Sequence, residues 1–574
     1  MNSEFRMPNS ESNPNLTLLA WVLCALKIRP AGALINTPLQ QGVCGRTGTA
    51  NRFNGFQPAR ETVETVDAIA ASLGTPLKQG FNERKLSYPV HQCAACGLAL
   101  LLTLAFAGCS VGPDYKRPSA LGSNALPTAF VGTPSTNVGE WKPANPSAHL
   151  PRGAWWEMFD DAELNRLETL ANTNNQDLAL AVAHFAQARA LVNVAQADYF
   201  PQISTAPSYN RQRTSANMLQ GSSTTFNTFS IPLDASWELD LFGRVRHTVQ
   251  GSQARLAAAA DDLEATRLTL QAEIAIDYFA LRSLDSQHAV LSETIKTYER
   301  SLQLTQNRHK SGIATEQDVA LADTQLQSTV AQLPAVELQR ANLTHALAVL
   351  CGQPAPGFSV TLAAGAWPDP PSLPVALPSE ILEHRPDIAA AERRMAAANA
   401  DVGVAQSAFY PRVFLTGSAG LQSIDAGTLF NWPSRVWAVG PSLQLPLFTG
   451  GRTRAQLAAA RSAYDQNVAS YRQTVLTAFQ EIEDHLAAQR LLGRQLAAET
   501  AALKSARRTL EIANLRYKGG VITYLEVAVI QGQALSHEQT VVSLRAQRLA
   551  SSVSLIKALG AGWTSTSGTA PPKP

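Results

Sequence analysis

The chain has 574 residues, with 47 basic against 45 acidic side chains and a formal net charge of +2. That length exceeds the roughly 250–300 residues at which a single core stops growing, so more than one structural unit is expected. The near balance of charge gives no electrostatic case for a nucleic-acid partner, and the scattered arginines read as solvated helix surface.

In chain order, the first informative segment is apolar. Ala94 to Ala107 is a run of uncharged, mostly apolar residues, preceded by Arg84 and Lys85 and closed by Gly108-Cys109. It is too short to cross a bilayer of about 30 Å as a helix, and it reads as a signal peptide over 86–108. The closing Phe106-Ala107-Gly108-Cys109 resembles a bacterial lipobox, with Phe where Leu is usual, and makes Cys109 the expected lipid acceptor and first mature residue. Residues 1–85 show no clear periodicity, and their apolar run from Leu16 to Leu26 lacks a cleavage site, so they are expected to be absent from the mature protein. Cys93 and Cys96 form a single CxxC without a second pair or metal-spaced histidines, and Cys351 stands alone as a small buried hydrophobe.

The rest of the chain is a duplication. Asp177–Pro201 aligns without gaps on Asp387–Pro411, an offset of 210, with 11 of 25 positions identical. Glu238-Leu-Asp-Leu-Phe-Gly-Arg244 answers Gln444-Leu-Pro-Leu-Phe-Thr-Gly-Gly-Arg452, and Arg308-His-Lys-Ser-Gly312 answers Arg516-Tyr-Lys-Gly-Gly520. The repeats are placed at 109–352 and 379–563, with a Pro-rich linker at 353–378 and a small, polar, Pro-rich tail at 564–574.

Each repeat is expected to begin with a helix, Asp161–Tyr199 or Ser379–Tyr410, closed by Pro201 or Pro411. Strict alternation over Ser230–Leu241, repeated over Val436–Phe448, predicts strands with one apolar and one polar face, opposed by 202–213 and 412–424. Lipid cannot satisfy an open sheet edge, and a closed barrel needs about eight strands at least, so several chains must share one barrel if these hairpins enter a membrane. Val245–Lys310 and Thr453–Lys518 contain no proline; each predicts a helix of roughly 100 Å, returning after a glycine through Thr315–Leu350 or Thr523–Leu559. The fold class is therefore mixed α and β: long helical hairpins continuous with a shared transmembrane β-barrel.

These residues resemble the NodT and OprM branch of the TolC family of outer-membrane efflux lipoproteins. The resemblance runs from Cys109 to Trp563 through Cys109-Ser-Val-Gly-Pro-Asp-Tyr-Lys-Arg-Pro118, Trp155-Trp156, Phe159-Asp160-Asp161, Arg385-Pro386-Asp387 and Lys557-Ala-Leu-Gly-Ala-Gly-Trp563. It implies a homotrimer in the outer membrane, lipid-anchored and extending into the periplasm. Its implied partners are a periplasmic adaptor and an inner-membrane RND-type pump, with small molecules exported and no cofactor or metal. It also implies that Gly312, Thr315, Asp318, Tyr517, Gly520 and Thr523 form the periplasmic tips and gate. Glu526 takes the first of two constriction carboxylate positions, and Val529 occupies the second. Drug efflux, metal efflux and type I secretion share this architecture. A structural coiled-coil envelope protein would explain the helices but neither the duplicated hairpins nor the lipobox. No GxSxG, HExxH, P-loop or GxGxxG spacing supports an enzyme.

Overall fold

The structure is a computed structural model that describes residues 111–121, 153–217, 223–361, 367–371 and 384–561. Cys109, the signal segment, residues 1–85 and the tail lie outside the described residues.

A 3-10 turn over Trp155–Phe159 leads into α1 (Ala162–Asn174) and α2 (Gln176–Ala197). Asp161 caps α1 by accepting from Glu163 N and Leu164 N. The single helix expected over Asp161–Tyr199 is two, because Asn175 leaves the helical conformation, caps α2 through Leu178 N and donates to Leu350 O at 2.8 Å. Strands β1 (Gln202–Thr205) and β2 (Ser208–Arg213) are one edge strand interrupted at Ala206-Pro207, where proline offers no N–H to the ladder. Both pair antiparallel with β3 (Thr225–Leu239).

Helix α3 (Arg244–Lys310) follows, then α4 (Glu316–Val330) and α5 (Gln332–Leu350). The return expected as one helix is divided at Ala331. Pro334 lacks an N–H and crowds the carbonyl four residues back, that of Val330, the last residue of α4.

The second repeat gives α6 (Pro386–Ser407), β4 (Arg412–Ser423), two short 3-10 turns, β5 (Arg435–Gln444), α7 (Arg452–Lys518) and α8 (Tyr524–Ala558). Pro386 opens α6 at N1, where its missing N–H costs nothing. β5 ends earlier than the expected Phe448, short of Pro446. With no internal proline, α8 runs unbroken. Helices α3 and α7 have 67 residues each, roughly 100 Å at 1.5 Å per residue.

β3 pairs with β4 and β4 with β5, all antiparallel, so the edges of the sheet are β1/β2 and β5. Residues paired across strands share a face, and the pairing puts every odd-numbered strand residue on one side. That side carries Ile203, Tyr209, Leu233, Trp237, Leu415, Trp437, Val439 and Leu443, and much of it is exposed, Trp437 to 78%. The even side is mostly small or polar, with Ser230, Asp234, Ser236, Glu238, Thr416, Ser418 and Ser442. An apolar face open to the surroundings beside a polar one is the reverse of a water-soluble sandwich, and it matches a lipid-facing barrel wall around an aqueous lumen.

The two repeats are packed differently. α6 is wedged between α3 and α7, and buries Ile388, Ala390, Met395 and Ala398. Its counterpart α2 packs mainly on α3 and leaves Leu180, Val182, Leu191 and Val194 exposed. A second core gathers Trp155, Phe159, Leu164, Leu167, Tyr278, Phe279 and Cys351 around the middle of the helical rods. Asp161 anchors it, accepting from Tyr278 OH at 2.8 Å and Arg282 Nη1 at 2.9 Å.

Candidate functional site

Far from the sheet, the two long helices turn back through matched tips. At each, the backbone makes the same pair of closing bonds. Ile313 N donates to Arg308 O at 2.9 Å and Gly312 N to His309 O at 2.8 Å; Val521 N donates to Arg516 O at 2.9 Å and Gly520 N to Tyr517 O at 3.0 Å. This Schellman pattern needs a left-handed residue just beyond the helix, and Gly312 (φ +73°) and Gly520 (φ +77°) supply it without Cβ strain.

Beyond the glycines the tips diverge. Thr315 and Asp318 form a full capping box: Asp318 N donates to Thr315 Oγ1 at 3.2 Å, and Asp318 Oδ2 accepts from Thr315 N at 3.0 Å and Thr315 Oγ1 at 2.9 Å. In the second tip, Glu526 Oε1 lies 3.4 Å from Thr523 N and 3.5 Å from Thr523 Oγ1, a loose version of the same contact. Glu526 and Val529 both lie on the exposed side of α8, opposite the buried Tyr524, Val527 and Ala528.

Tyr517 joins one hairpin to the other. Its hydroxyl lies 3.1 Å from Thr305 Oγ1, its carbonyl accepts from Arg308 Nη1 at 2.7 Å, and the Arg308 guanidinium stacks 4.7 Å from its ring centre. Tyr517 also meets Tyr524 edge to face at 5.6 Å. Burial pushes the Tyr524 phenol up to about 12. Tyr517 and Asp318, both assigned to the tips by the resemblance, are not bonded to each other among the described residues. Asp318 is occupied by Thr315, and the phenol turns to α3 instead. Thr305 and Arg308 are the tip residues that sequence reasoning missed. The available signal was the repeat itself, since Arg308 and Arg516 hold equivalent places.

At the sheet end, the segment after Cys109 is strapped to the helices. Val111 N donates to Phe242 O at 3.3 Å, Asn399 Nδ2 to Pro113 O at 2.9 Å, Tyr115 OH to Glu392 Oε1 at 2.9 Å, and Arg117 Nη2 to Tyr471 OH at 3.2 Å. Burial and the neighbouring Glu392 carboxylate hold the Tyr115 phenol well above the ordinary tyrosine range. His247 fills the space beside Gly112 and Gly403; a Cβ on either would lie 2.7 Å from its ring.

The outer membrane efflux protein family model matches residues 168–353 and again 377–561. The chain belongs to that family. A toluene efflux pump outer membrane protein and an antibiotic efflux pump outer membrane protein, both of Pseudomonas putida, are each 34% identical over 470 residues, 81% of this chain and 94% of theirs. The solved outer-membrane channel OprN superposes with a TM-score of 0.73 at 31% identity, covering 79% of this chain and all of that one. The paired match agrees with the internal duplication, and the chain is an outer-membrane efflux channel component whose helical rods extend away from the membrane sheet.

Proposed function

We propose that three copies of the chain close into a single conduit, the outer-membrane part of a tripartite system that carries small molecules from a periplasmic adaptor and an inner-membrane pump to the exterior. The observation that carries this is the sheet with two unpaired edges, β1/β2 and β5, below an exposed apolar face. Lipid cannot satisfy those edges, so they must meet other copies. Four strand positions from each of three copies give a barrel of twelve, above the minimum of about eight. The helices support the same closure, since the uncovered apolar flank of α2 matches the place that α7 of a neighbouring copy would take, as α7 covers α6 within one chain. By length and composition α2 could cross a bilayer, but its position beside α3 makes it a wall of the periplasmic tunnel.

The tips carry the gate. Gly312, Thr315, Asp318, Tyr517, Gly520 and Thr523 shape the two turns, the Tyr517 contacts hold the hairpins together, and Glu526 faces the constriction. The exposed Ile313 and Val521 at the turns give an apolar landing point for the adaptor. Cys109 carries the lipid. Val111, two residues on, donates to Phe242 O at the strand-to-helix junction, at the sheet end of the helices. The cargo is apolar or amphipathic small molecules, by likeness to the toluene and antibiotic relatives, and no catalytic step is assigned.

Native mass spectrometry of the detergent-solubilised protein, with conductance in planar bilayers, tests the assembly. A trimer that conducts is expected; a stable monomer retaining its β content would overturn the reading.

A further inference from the structure

The lipid-facing side of the sheet does not stay apolar to its outer end. On β5 it reads Leu443, Pro441, Val439, Trp437, Arg435 toward the loop end, and on β1/β2 it reads Ile203, Thr205, Tyr209, Arg211, Arg213. Both edge strands pass from aliphatic to aromatic to guanidinium, at the end away from the helices. Among the described residues, Arg211, Arg213 and Arg435 have no carboxylate partner. Arg213 donates to Ser223 Oγ at 3.0 Å, and Arg435 stacks on the exposed Trp432 ring.

The register brings these arginines to one depth. Arg211 pairs with Asn227; Arg435 pairs with Leu421, which pairs with Ile231, four residues farther along β3. Four residues are about 13 Å along a strand, and three strand steps of about 4.8 Å cover about 14 Å across it. For strands tilted by about 45°, those two displacements cancel along the barrel axis. Arg435 and Arg211 therefore sit at the same height on opposite edges of the protomer. When β5 of one copy meets β1/β2 of the next, Arg435 of one lies beside Arg211 and Arg213 of the other.

Like charges on neighbouring strands destabilise a sheet unless an anion lies between them. We propose that each seam between copies is a binding site for the phosphate groups of an outer-leaflet glycolipid, gripped by Arg211, Arg213 and Arg435. Guanidinium groups match phosphate bidentately, and the flanking Tyr209 and Trp437 rings suit the region where headgroups meet acyl chains. The site rests on the trimeric closure proposed above, because one protomer holds only half of it.

The test is native mass spectrometry of the full-length protein with bisphosphorylated lipid A, its dephosphorylated form, or phosphatidylglycerol added. The wild-type trimer is expected to retain bisphosphorylated lipid A preferentially, one per seam. The Arg211→Gln/Arg213→Gln/Arg435→Gln variant should remain trimeric and bind that lipid at least about tenfold more weakly, a change equal to about 1.4 kcal/mol. Equal retention by the variant, or equal wild-type binding of the dephosphorylated lipid or of phosphatidylglycerol, would overturn the site. A wild-type chain that is not trimeric shows in the same spectra before lipid is added, and overturns the closure instead.

Discussion

The Tyr517 hydroxyl on the second hairpin and Thr305 Oγ1 on the first lie 3.1 Å apart in a buried contact, 212 positions distant in sequence. In the gate proposed above, this bond crosses between hairpins that separate as the tunnel widens. A neutral hydrogen bond of this kind contributes about 0.5–1.5 kcal/mol. Tyr517→Phe and Thr305→Val should each raise the open fraction of the channel in bilayer recordings, and the double variant should do little more than either alone. Strictly additive effects would show that the two groups do not act as a pair.

Arg308 holds the same junction by different means, through its bonds to the Tyr517 and Lys518 carbonyls and its stacking on the Tyr517 ring. Hydrogen bonds from a charged donor are worth about 1.5–3 kcal/mol. Arg308→Ala should therefore open the tip more than Tyr517→Phe does. An open fraction no higher than that of Tyr517→Phe would remove Arg308 from the gate.

The two acidic tip residues should separate by phenotype. Asp318 Oδ2 accepts from Thr315 N and Thr315 Oγ1, so Asp318→Ala removes the carboxylate half of the capping box, leaves the bond from the Asp318 main-chain N in place, and should loosen the first turn of α4, raising the open fraction. Glu526 makes only long contacts, so Glu526→Gln should leave stability unchanged. Three Glu526 carboxylates around the threefold axis would favour cations in a narrow passage, and the neutral variant should shift the reversal potential toward non-selectivity. An unshifted reversal potential would make Glu526 a solvated helix residue.

Much of this architecture was legible in the sequence because its signals are long. The 67-residue helices lack proline, and the strands alternate strictly enough to fix their faces, so these elements differ from expectation chiefly at their ends. The breaks were harder to read. Pro334 divides one return helix, but Asn175 divides α1 from α2 through a bond to Leu350 that only the folded chain creates. The tip shows the same division. Gly312 and Gly520 are local requirements of a turn, whereas the pairing of Tyr517 with Thr305 depends on how α3 and α7 rotate against each other.

The strap after Cys109 predicts a graded effect of its loss. A single acyl chain binds a membrane only marginally, and the barrel itself holds the lipid phase, so Cys109→Ala should impair sorting more than channel architecture. Mass spectrometry of the mature protein should show an acylated N-terminal Cys109. An unmodified thiol, or a start well upstream, would refute the lipobox reading.

Glu168 offers a pH test of the mid-rod core. It is fully buried on α1, beside Leu164, Leu167 and Ala171, and neither carboxyl oxygen has a hydrogen-bonding partner among the described residues. Burial pushes its carboxyl up to about 9, from an ordinary value of 4.5. Between those values the folded state keeps the proton that the unfolded state has lost, so stability falls as pH rises across the window. The contribution is intact below about 4.5 and fully lost above about 9. Glu168→Leu keeps an apolar shape in an apolar site and removes the titration. It should slow thermal inactivation at pH 8 far more than at pH 5, and flatten the dependence of inactivation rate on pH across that range. Rates are the right measure, because a large membrane assembly unfolds irreversibly. If wild type and variant lose stability in parallel from pH 5 to pH 8, Glu168 is already ionised and paired in the folded protein, and the buried neutral acid is disproved.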